Sequence, residues 1–335
     1  MFSLDAERAH RVTLAALDVC DRLHIARCVS GTAVSAPRTV MGLEFPNAVG
    51  LAAGLDKNGE HIRALSQLGF GFLEIGTVTP RPQPGNAPPR LFRITRANAV
   101  INRMGFNNRG VDYLIKQVRA SHYRGILGIN IGKNFDTPME RAIDDYLYCL
   151  RMVYPHASYV TVNISSPNTQ NLRSLQEGQA LENLLEALSR ERHDCADAHG
   201  RRVPIAIKIA PDLDQSDVQF IADAACQHDM DAIIATNTTT SRTGVEGLPH
   251  ADEAGGLSGA PLRERATRVV TWLANALGGH LPVIAVGGIM RAEDAVEKIA
   301  AGASLIQLYT GLIYRGPGLV GECARTIAQR MPANG

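Results

Sequence analysis

Short hydrophobic runs recur along the chain, and each is followed by a polar or glycine-rich turn and then by a longer amphipathic stretch. This order predicts repeated units of a β-strand, a loop and an α-helix. The pattern predicts strands at residues 48–52, 72–76, 126–131, 159–164, 204–209, 232–235, 283–286 and 305–308. Helices are predicted between them, including residues 175–195, 216–228, 262–277 and 292–301.

Eight strands that alternate with helices favour an α/β fold, namely a (β/α)8 TIM-type barrel whose parallel sheet is covered on both faces. An open, doubly wound sheet shows the same alternation, but it would carry a G-x-G-x-x-G turn after its first strand. The turn found here reads Gly50-Leu-Ala-Ala-Gly54-Leu-Asp-Lys57 and lacks that spacing. We therefore predict a barrel over residues 31–335.

The first thirty residues follow a different pattern. Apolar residues recur there at steps of three and four, at Ala9, Val12, Ala16, Val19 and Leu23, with charged residues between them. This spacing predicts a small amphipathic extension of one or two helices over residues 1–30. Most such helices only cover a core, so the pattern alone favours packing under the barrel over contact with a membrane surface or a lipophilic tunnel.

Composition narrows the class of protein. The chain has 335 residues, with 34 Lys and Arg against 33 Asp and Glu, which gives a formal net charge of +1. Hydrophobic residues make up 45% and charged residues 20%, as in a folded globular protein, and the near-neutral charge disfavours binding of nucleic acid through a basic surface. The six cysteines are widely spaced and form no C-x-x-C pair, which indicates a reducing compartment. No run of about 18 apolar residues predicts a membrane span.

Polar residues cluster just past the predicted strands, where a barrel builds its active site. They are Lys57, Thr77, Asn130, Asn163, Ser166, Asn168, Lys208, Thr236, Asn237, Thr238, Tyr309 and Thr310. Each residue alone could cap a helix or close a turn. That explanation is weak for Lys208 inside an apolar run and for four asparagines at one rim. Together these side chains suit a planar, anionic ligand rich in amide groups.

Glycine pairs indicate a phosphate site. Gly287 and Gly288 follow the seventh predicted strand and Tyr309-Thr310 follows the eighth, where barrels commonly hold phosphate with backbone N–H groups. The run Gly255-Gly-Leu-Ser-Gly259 could approach the same group, so a phosphate-bearing cofactor is predicted. The sequence lacks an H-E-x-x-H motif, a cluster of His and Cys, and a G-x-S-x-G nucleophile elbow. We therefore predict neither a metal site nor a serine hydrolase.

Six motifs in a fixed order resemble those of one enzyme family. They read Ala53-Gly-Leu-Asp-Lys57, Glu74-Ile-Gly-Thr-Val-Thr-Pro80, Asn102-Arg-Met-Gly-Phe106, Asn163-Ile-Ser-Ser-Pro-Asn168, Gly255-Gly-Leu-Ser-Gly259 and Leu308-Tyr-Thr310. Over essentially the whole chain, the sequence resembles the class 2, quinone-dependent dihydroorotate dehydrogenases of bacterial type. The resemblance implies an FMN-containing barrel that oxidises (S)-dihydroorotate to orotate in pyrimidine (UMP) biosynthesis and passes the electrons to a membrane quinone.

The resemblance also implies roles for individual residues. FMN would contact Ala53, Gly54, Lys57, Thr77, Asn130, Asn163, Lys208 and Thr236, with Gly259, Gly288, Tyr309 and Thr310 around its phosphate. Orotate would be held by Lys57, Asn102, Arg103, Met104, Gly105, Phe106, Asn163, Asn168, Asn237 and Thr238. Ser166 would take the C5 proton of the substrate while C6 gives hydride to the flavin. Lys208 would stabilise the negative charge that develops on the flavin as the hydride arrives.

A serine at position 166 and an N-terminal extension both separate class 2 from soluble class 1 relatives, which have a cysteine base. In the family the N-terminal helices frame a tunnel with Arg93 and Tyr309 at its polar end, which reverses the interpretation of residues 1–30 drawn from pattern alone. The sequence shows no presequence and no membrane anchor. The resemblance therefore implies peripheral association with the cytoplasmic side of the inner cell membrane.

Two alternatives stay open. A tRNA-dihydrouridine synthase is also an FMN barrel that acts on a reduced pyrimidine. It needs an RNA-binding surface and a catalytic cysteine, however, and no cysteine follows a predicted strand here. The second alternative is a non-catalytic barrel that only binds a phosphate ligand. Colour separates this second alternative from an FMN enzyme, because an FMN enzyme is yellow.

Overall fold

The structure is a computed structural model, and it describes residues 4–23 and 34–331. The strands in chain order are β1 (Arg38–Val40), β2 (Leu43–Phe45), β3 (Val49–Leu51), β4 (Phe72–Val78), β5 (Leu91–Ile94), β6 (Ala99–Asn102), β7 (Ile126–Ile131), β8 (Tyr159–Asn163), β9 (Ile205–Ile209), β10 (Ala232–Ala235), β11 (Gly256–Gly259), β12 (Val283–Val286) and β13 (Leu305–Leu308). The α-helices are α1 (Ala6–Arg22), α2 (Ile62–Ser66), α3 (Val111–Ser121), α4 (Ala142–Val153), α5 (Gly178–His199), α6 (Gln215–Gln227), α7 (Arg263–Leu277), α8 (Ala292–Ala300), α9 (Thr310–Arg315) and α10 (Gly318–Arg330).

Eight of these strands form a closed, wholly parallel barrel. Their order around it is β10, β12, β13, β3, β4, β7, β8 and β9, with β9 paired back to β10. The prediction of a (β/α)8 TIM-type barrel is confirmed, and each predicted strand matches a barrel strand apart from one or two residues at some ends. The strands are almost entirely buried because helices cover the sheet outside and side chains fill it inside.

Aromatic side chains close the end of the barrel at which the strands begin. The Phe72 ring occupies the space beside Gly50, where a Cβ atom would lie only 2.2 Å from the ring. Phe45, from the antiparallel hairpin of β1 and β2, packs edge to face on Phe72 with ring centroids 5.1 Å apart. The barrel interior is therefore a packed core, and a ligand site has to lie at the opposite end.

A small antiparallel sheet was not predicted from the sequence. It has the order β11, β6, β5 and lies beside the barrel with a hydrophobic core of its own. That core consists of Phe92, Ile94, Ala99, Ile101, Val245, Ala251 and Leu257. The sheet brings residues of β6 and β11, which are far apart in sequence, to one wall of the rim.

Helix α1 confirms the predicted N-terminal amphipathic helix, and it packs on α2 and β5. Leu14 joins the main core, but the predicted apolar stripe lies largely on the outer side, where Val12, Val19 and Leu23 are 42%, 52% and 62% exposed. The second helix allowed by the sequence, and the boundary at residue 30, fall outside the described residues. Among the helices of residues 4–23 and 34–331, none combines the length and apolar character that crossing a membrane requires.

Candidate active site

A pocket opens at the rim where the barrel strands end. The sequence-predicted residues that line it are Ala53, Gly54, Lys57, Thr77, Asn102, Met104, Gly105, Phe106, Asn163, Ser166, Asn168, Lys208, Thr236, Asn237, Thr238, Gly259, Gly288, Tyr309 and Thr310. They come from the ends of seven barrel strands, from the loop after β6 and from β11. The closed barrel brings these distant segments together because the carboxyl ends of parallel strands meet at one rim.

Three predicted site residues lie outside this lining. The Asn130 amide donates to Glu74 (2.8 Å) and accepts from the Thr77 hydroxyl (2.6 Å), below the pocket surface. Arg103 pairs with Glu253 (2.7 Å), and Arg93 donates to the Leu4 carbonyl of the N-terminal segment. These side chains already have protein partners, and their proposed ligand contacts stay predictions.

Hydrogen bonds hold the amide side chains of the pocket in fixed orientations. Asn163 donates to the Thr77 hydroxyl (3.1 Å), and Asn237 donates to Asn163 (3.3 Å) and to the Ser165 hydroxyl (3.1 Å). Asn168 donates to the Asn102 side chain across the pocket (3.2 Å). Preoriented donors and acceptors of this kind select a ligand with complementary C=O and N–H groups.

Two lysines supply the positive charge of the pocket. Lys208, on β9, is 5% exposed, and Lys57 follows β3. Within the described residues, neither Nζ takes part in a hydrogen bond or in an ion pair. Burial lowers the pKa of Lys57 to about 8, against the opposing effect of Glu7, and burial also lowers the pKa of Lys208. A buried cation without a partner is costly, so the pair favours an anionic ligand.

A buried carboxylate lies beneath the pocket and was not recognised from the sequence. Glu74 accepts hydrogen bonds from Asn130 (2.8 Å), Tyr159 (2.9 Å) and Gln307 (2.6 Å). Gln307 lines the pocket, and its side-chain oxygen is buried without a partner in the described structure. Both residues lie inside mostly apolar strands. A polar residue within each apolar run was the only sequence signal that could have identified them.

The turn after β12 exposes backbone donors to the pocket. Gly287 and Gly288 have φ angles of +115° and +75°, and a Cβ at Gly288 would lie 2.2 Å from the Cα of Arg263. No hydrogen bond within residues 4–23 and 34–331 uses the N–H of either glycine. Asp294 fixes the following turn by accepting from the N–H of Met290 at 2.9 Å. Free N–H groups on a fixed turn are suited to an anion such as phosphate.

Ser166 lies on the loop after β8 and is 6% exposed. Its Oγ accepts a hydrogen bond from the N–H of Asn168 at 3.2 Å. In the described parts of the chain, no histidine or carboxylate is hydrogen-bonded to this hydroxyl. Ser166 is therefore not part of a Ser-His-Asp arrangement, and a nearby donor is in place to stabilise negative charge on the oxygen.

A second cavity lies between α1 and the rim. Its lining includes Glu7, His10, Arg11 and Leu14 of α1, together with Leu55, His61, Leu91 and Asn107. Lys57, Met104 and Tyr309 line both this cavity and the pocket. Burial, followed by the positive charge of Lys57, lowers the pKa of His10 to about 4, which leaves its imidazole neutral at pH 7.

Comparisons with known proteins agree with this geometry. The family profile described as "Dihydroorotate dehydrogenase" matches residues 35–331. Proteins named "Dihydroorotate dehydrogenase (quinone)" from Thiobacillus denitrificans and Pseudomonas paraeruginosa are 64% and 61% identical, each over 98% of this chain and over 97% and 96% of their own length. The crystal structure of an Eimeria tenella DHODH in complex with ferulenol superposes with a TM-score of 0.89 at 34% identity, covering 97% of this chain and 91% of that chain. A match of this extent in both sequence and fold shows that the chain belongs to the dihydroorotate dehydrogenase family.

Proposed function

We propose that this protein oxidises (S)-dihydroorotate to orotate in pyrimidine biosynthesis and passes the electrons through a flavin to a quinone. One observation carries the proposal. A single pocket combines two lysines without a hydrogen-bond partner in the described residues, the hydrogen-bonded amides of Asn102, Asn163, Asn168 and Asn237, and a buried serine, in a chain whose relatives are named for this reaction. Orotate is a planar anion with C=O and N–H groups at its edge, and it matches that set of side chains.

The family uses a flavin, and we propose FMN as the form bound here. The residues present fit this group in two respects. The turn of Gly287 and Gly288 offers free N–H groups to a phosphate, with Gly259, Tyr309 and Thr310 beside it. Lys208 places a positive charge on the same rim, where Ala53, Gly54, Lys57, Thr77, Asn163 and Thr236 would surround the ring system and Asn130 would act from below. When bound, FMN supplies the hydride acceptor.

The protein residues have separate tasks in this reaction. Protonated Lys57 binds the substrate carboxylate, and Asn102, Asn163, Asn168 and Asn237 hold the amide edges of the ring. Arg103, Met104, Gly105, Phe106 and Thr238 complete the proposed substrate site. Ser166 takes the C5 proton as its own hydroxyl proton passes to solvent water, and the Asn168 N–H bonded to its oxygen reduces the cost of the partial negative charge on that oxygen during the exchange. Lys208 would stabilise the negative charge that the hydride acceptor gains.

We propose that the second cavity receives the quinone, with Tyr309 on its wall. Arg93, which donates to the Leu4 carbonyl and is outside the cavity lining, would stand at the polar end of the quinone site. The exposed side chains Val12, Val19 and Leu23 support peripheral association of α1 with a membrane, because an amphipathic helix buries such a face in the lipid interface. We infer that the membrane is the inner cell membrane, approached from the cytoplasmic side.

Anaerobic titration tests the proposal. The purified protein should be yellow, and dihydroorotate should bleach its flavin absorbance without added cofactor. A quinone should then restore the oxidised spectrum faster than fumarate does. Lack of bleaching by dihydroorotate in a flavin-loaded preparation would rule out the proposed substrate. Faster reoxidation by fumarate would rule out the quinone.

A further inference from the structure

Arg173 joins the loop that carries Ser166 to two other loops at the rim. It lies in the 3-10 turn Leu172–Gln176, and its side chain is 23% exposed. Its guanidinium donates in three directions: Nε to the Ser165 carbonyl (3.1 Å), Nη2 to the Thr238 carbonyl (2.9 Å) and Nη1 to the Asp212 carboxylate (2.9 Å). Neither the family motifs nor the strand-end pattern singled out this arginine.

The Asp212 carboxylate, which accepts a hydrogen bond from Arg173, is itself held in place by other residues. Asp212 follows β9 and accepts hydrogen bonds from the Thr239 hydroxyl and from the N–H of Thr240 (2.9 Å). Arg265 of α7 lies 3.3 Å from the same carboxylate. Asp212 therefore fixes the direction of the guanidinium from the side opposite Ser165.

The turn that carries Arg173 is fixed as well. The side-chain oxygen of Gln176 accepts the N–H of Ala210 at 2.8 Å, and its amide donates to the Arg173 carbonyl at 3.3 Å. The arginine thus spans from a turn attached to the end of β9 to the backbone just before Ser166. Because the Ser165 carbonyl belongs to the peptide plane that precedes Ser166, fixing that oxygen limits the rotation that would move the Ser166 side chain.

We propose that Arg173 is a positioning residue that holds Ser166 toward the substrate held by Asn237 and Thr238. Only a planar guanidinium presents several donors at the fixed angles that two carbonyls and a carboxylate require, and a lysine ammonium does not. A base displaced by about 1 Å loses about 10²-fold in rate. This inference rests on the proposed function, since it assigns Ser166 as the base.

A double-mutant cycle measures whether Arg173 acts through Ser166. In stopped-flow single turnovers with dihydroorotate, Arg173→Met should slow flavin reduction by roughly 30- to 100-fold. The same change in a Ser166→Ala background should slow it by less than about 3-fold, because the misplaced group is already absent. FMN content and the rate of reoxidation by quinone should stay at the wild-type level. Arg173→Lys, which keeps a positive charge near Asp212, should recover part of the rate and serves as the test if Arg173→Met does not fold.

Arg151→Met is the matched control, because it removes an arginine paired with Glu191 on helices away from the rim. It should leave flavin reduction unchanged. An equal slowing by Arg173→Met in both backgrounds would show a general structural role, and a wild-type rate in Arg173→Met and Arg173→Lys would show no role; either result overturns the inference while the proposed function stands. Failure of wild-type protein to be reduced by dihydroorotate would overturn both.

Discussion

Arg90 and Glu7 form a two-point ion pair, with Nε 3.1 Å from one carboxylate oxygen and Nη2 2.8 Å from the other. The remaining amino group of Arg90 donates to the carbonyls of Pro84 and Asn86 at 2.7 and 2.8 Å. The hydrogen bond from Arg90 lowers the pKa of Glu7, against the effect of burial. This pair attaches α1 to the loop before β5 and thereby fixes one side of the second cavity.

Glu7→Gln should weaken that attachment, because it leaves the largely buried charge of Arg90 without its counter-ion. We expect reoxidation by a long-chain quinone to slow several-fold and proteolysis within α1 to speed up, while reduction by saturating dihydroorotate at pH 6, where Lys57 stays protonated, keeps its rate. Stopped-flow measurement of both half-reactions checks this. Glu186→Gln, which breaks an exposed pair with Arg190 on α5, is the control. Unchanged quinone kinetics would show that the pair does not shape the acceptor site.

Ser166→Ala should bind FMN and orotate nearly as well as wild type but reduce the flavin about 10²- to 10⁴-fold more slowly, the usual contribution of a general base. Ser166→Cys should retain more activity than Ser166→Ala at high pH, where a thiolate is available. Single-turnover rates over a range of pH provide the test. A wild-type rate in the alanine variant would place the base at another residue.

Orotate binding should depend on pH through Lys57. In the proposed site the protonated lysine binds the carboxylate, and burial lowers the pKa of Lys57 to about 8 in the ligand-free protein. The dissociation constant should therefore be flat below pH 8 and rise, by up to about tenfold per pH unit, above it. Lys57→Arg should remove this rise because arginine stays protonated. Titration of the flavin spectrum with orotate from pH 6 to 10 measures the effect, and an equal rise in both proteins would exclude Lys57 as its source.

Gly288→Ala should lower both FMN affinity and thermal stability. The new Cβ would lie 2.2 Å from the Cα of Arg263, so the turn or α7 has to move. Gly279→Ala is the matched control, because Gly279 also has a positive φ (+87°) but open space around its Cβ position. Backbone strain costs about 1–3 kcal/mol at either site, whereas loss of FMN affinity is expected only for Gly288→Ala. Equal FMN affinity in the two variants would show that this turn does not hold the phosphate.

Lys298 should make stability depend on pH. It is fully buried, with Nζ 2.9 Å from the Arg263 carbonyl and 2.6 Å from the Thr267 hydroxyl, and burial lowers its pKa to about 7. Between pH 7 and the unfolded-state value near 10.4, the unfolded chain binds the proton and the folded chain does not, so wild type gains stability as pH rises. Denaturant unfolding at pH 7 and pH 9 should show a larger gain in wild type than in Lys298→Met, which keeps the smaller contribution of Lys57. A constant difference between the two proteins would contradict the shift.

The barrel strands were predictable because each is buried on both faces and reads as a mostly apolar run, such as Ile205-Ala-Ile-Lys-Ile209. The hairpin of β1 and β2 and the sheet of β5, β6 and β11 were missed. Their strands are three or four residues long, and β11 is half glycine, so no period of two emerges. β11 pairs with β6, which lies much earlier in the chain, so no local sequence pattern reveals this pairing.

The site divides in the same way. Residues at strand ends, such as Lys57 and Asn163, were found because the barrel fixes where strands end. Glu74 and Gln307 were missed because each lies inside a strand, where one polar residue among apolar ones does not show whether it faces the barrel interior. Arg173 was missed because a loop arginine usually reaches solvent, and nothing in the sequence shows that three loops converge on it.

Lys57, Met104 and Tyr309 line both cavities, so a wall one side chain thick divides the pocket proposed for dihydroorotate from the cavity beside α1. A small molecule lodged beside α1 would leave the dihydroorotate pocket open. With the quinone in the second cavity, as proposed, such a molecule would compete with the quinone and show uncompetitive inhibition toward dihydroorotate, because only the reoxidation half-reaction would slow.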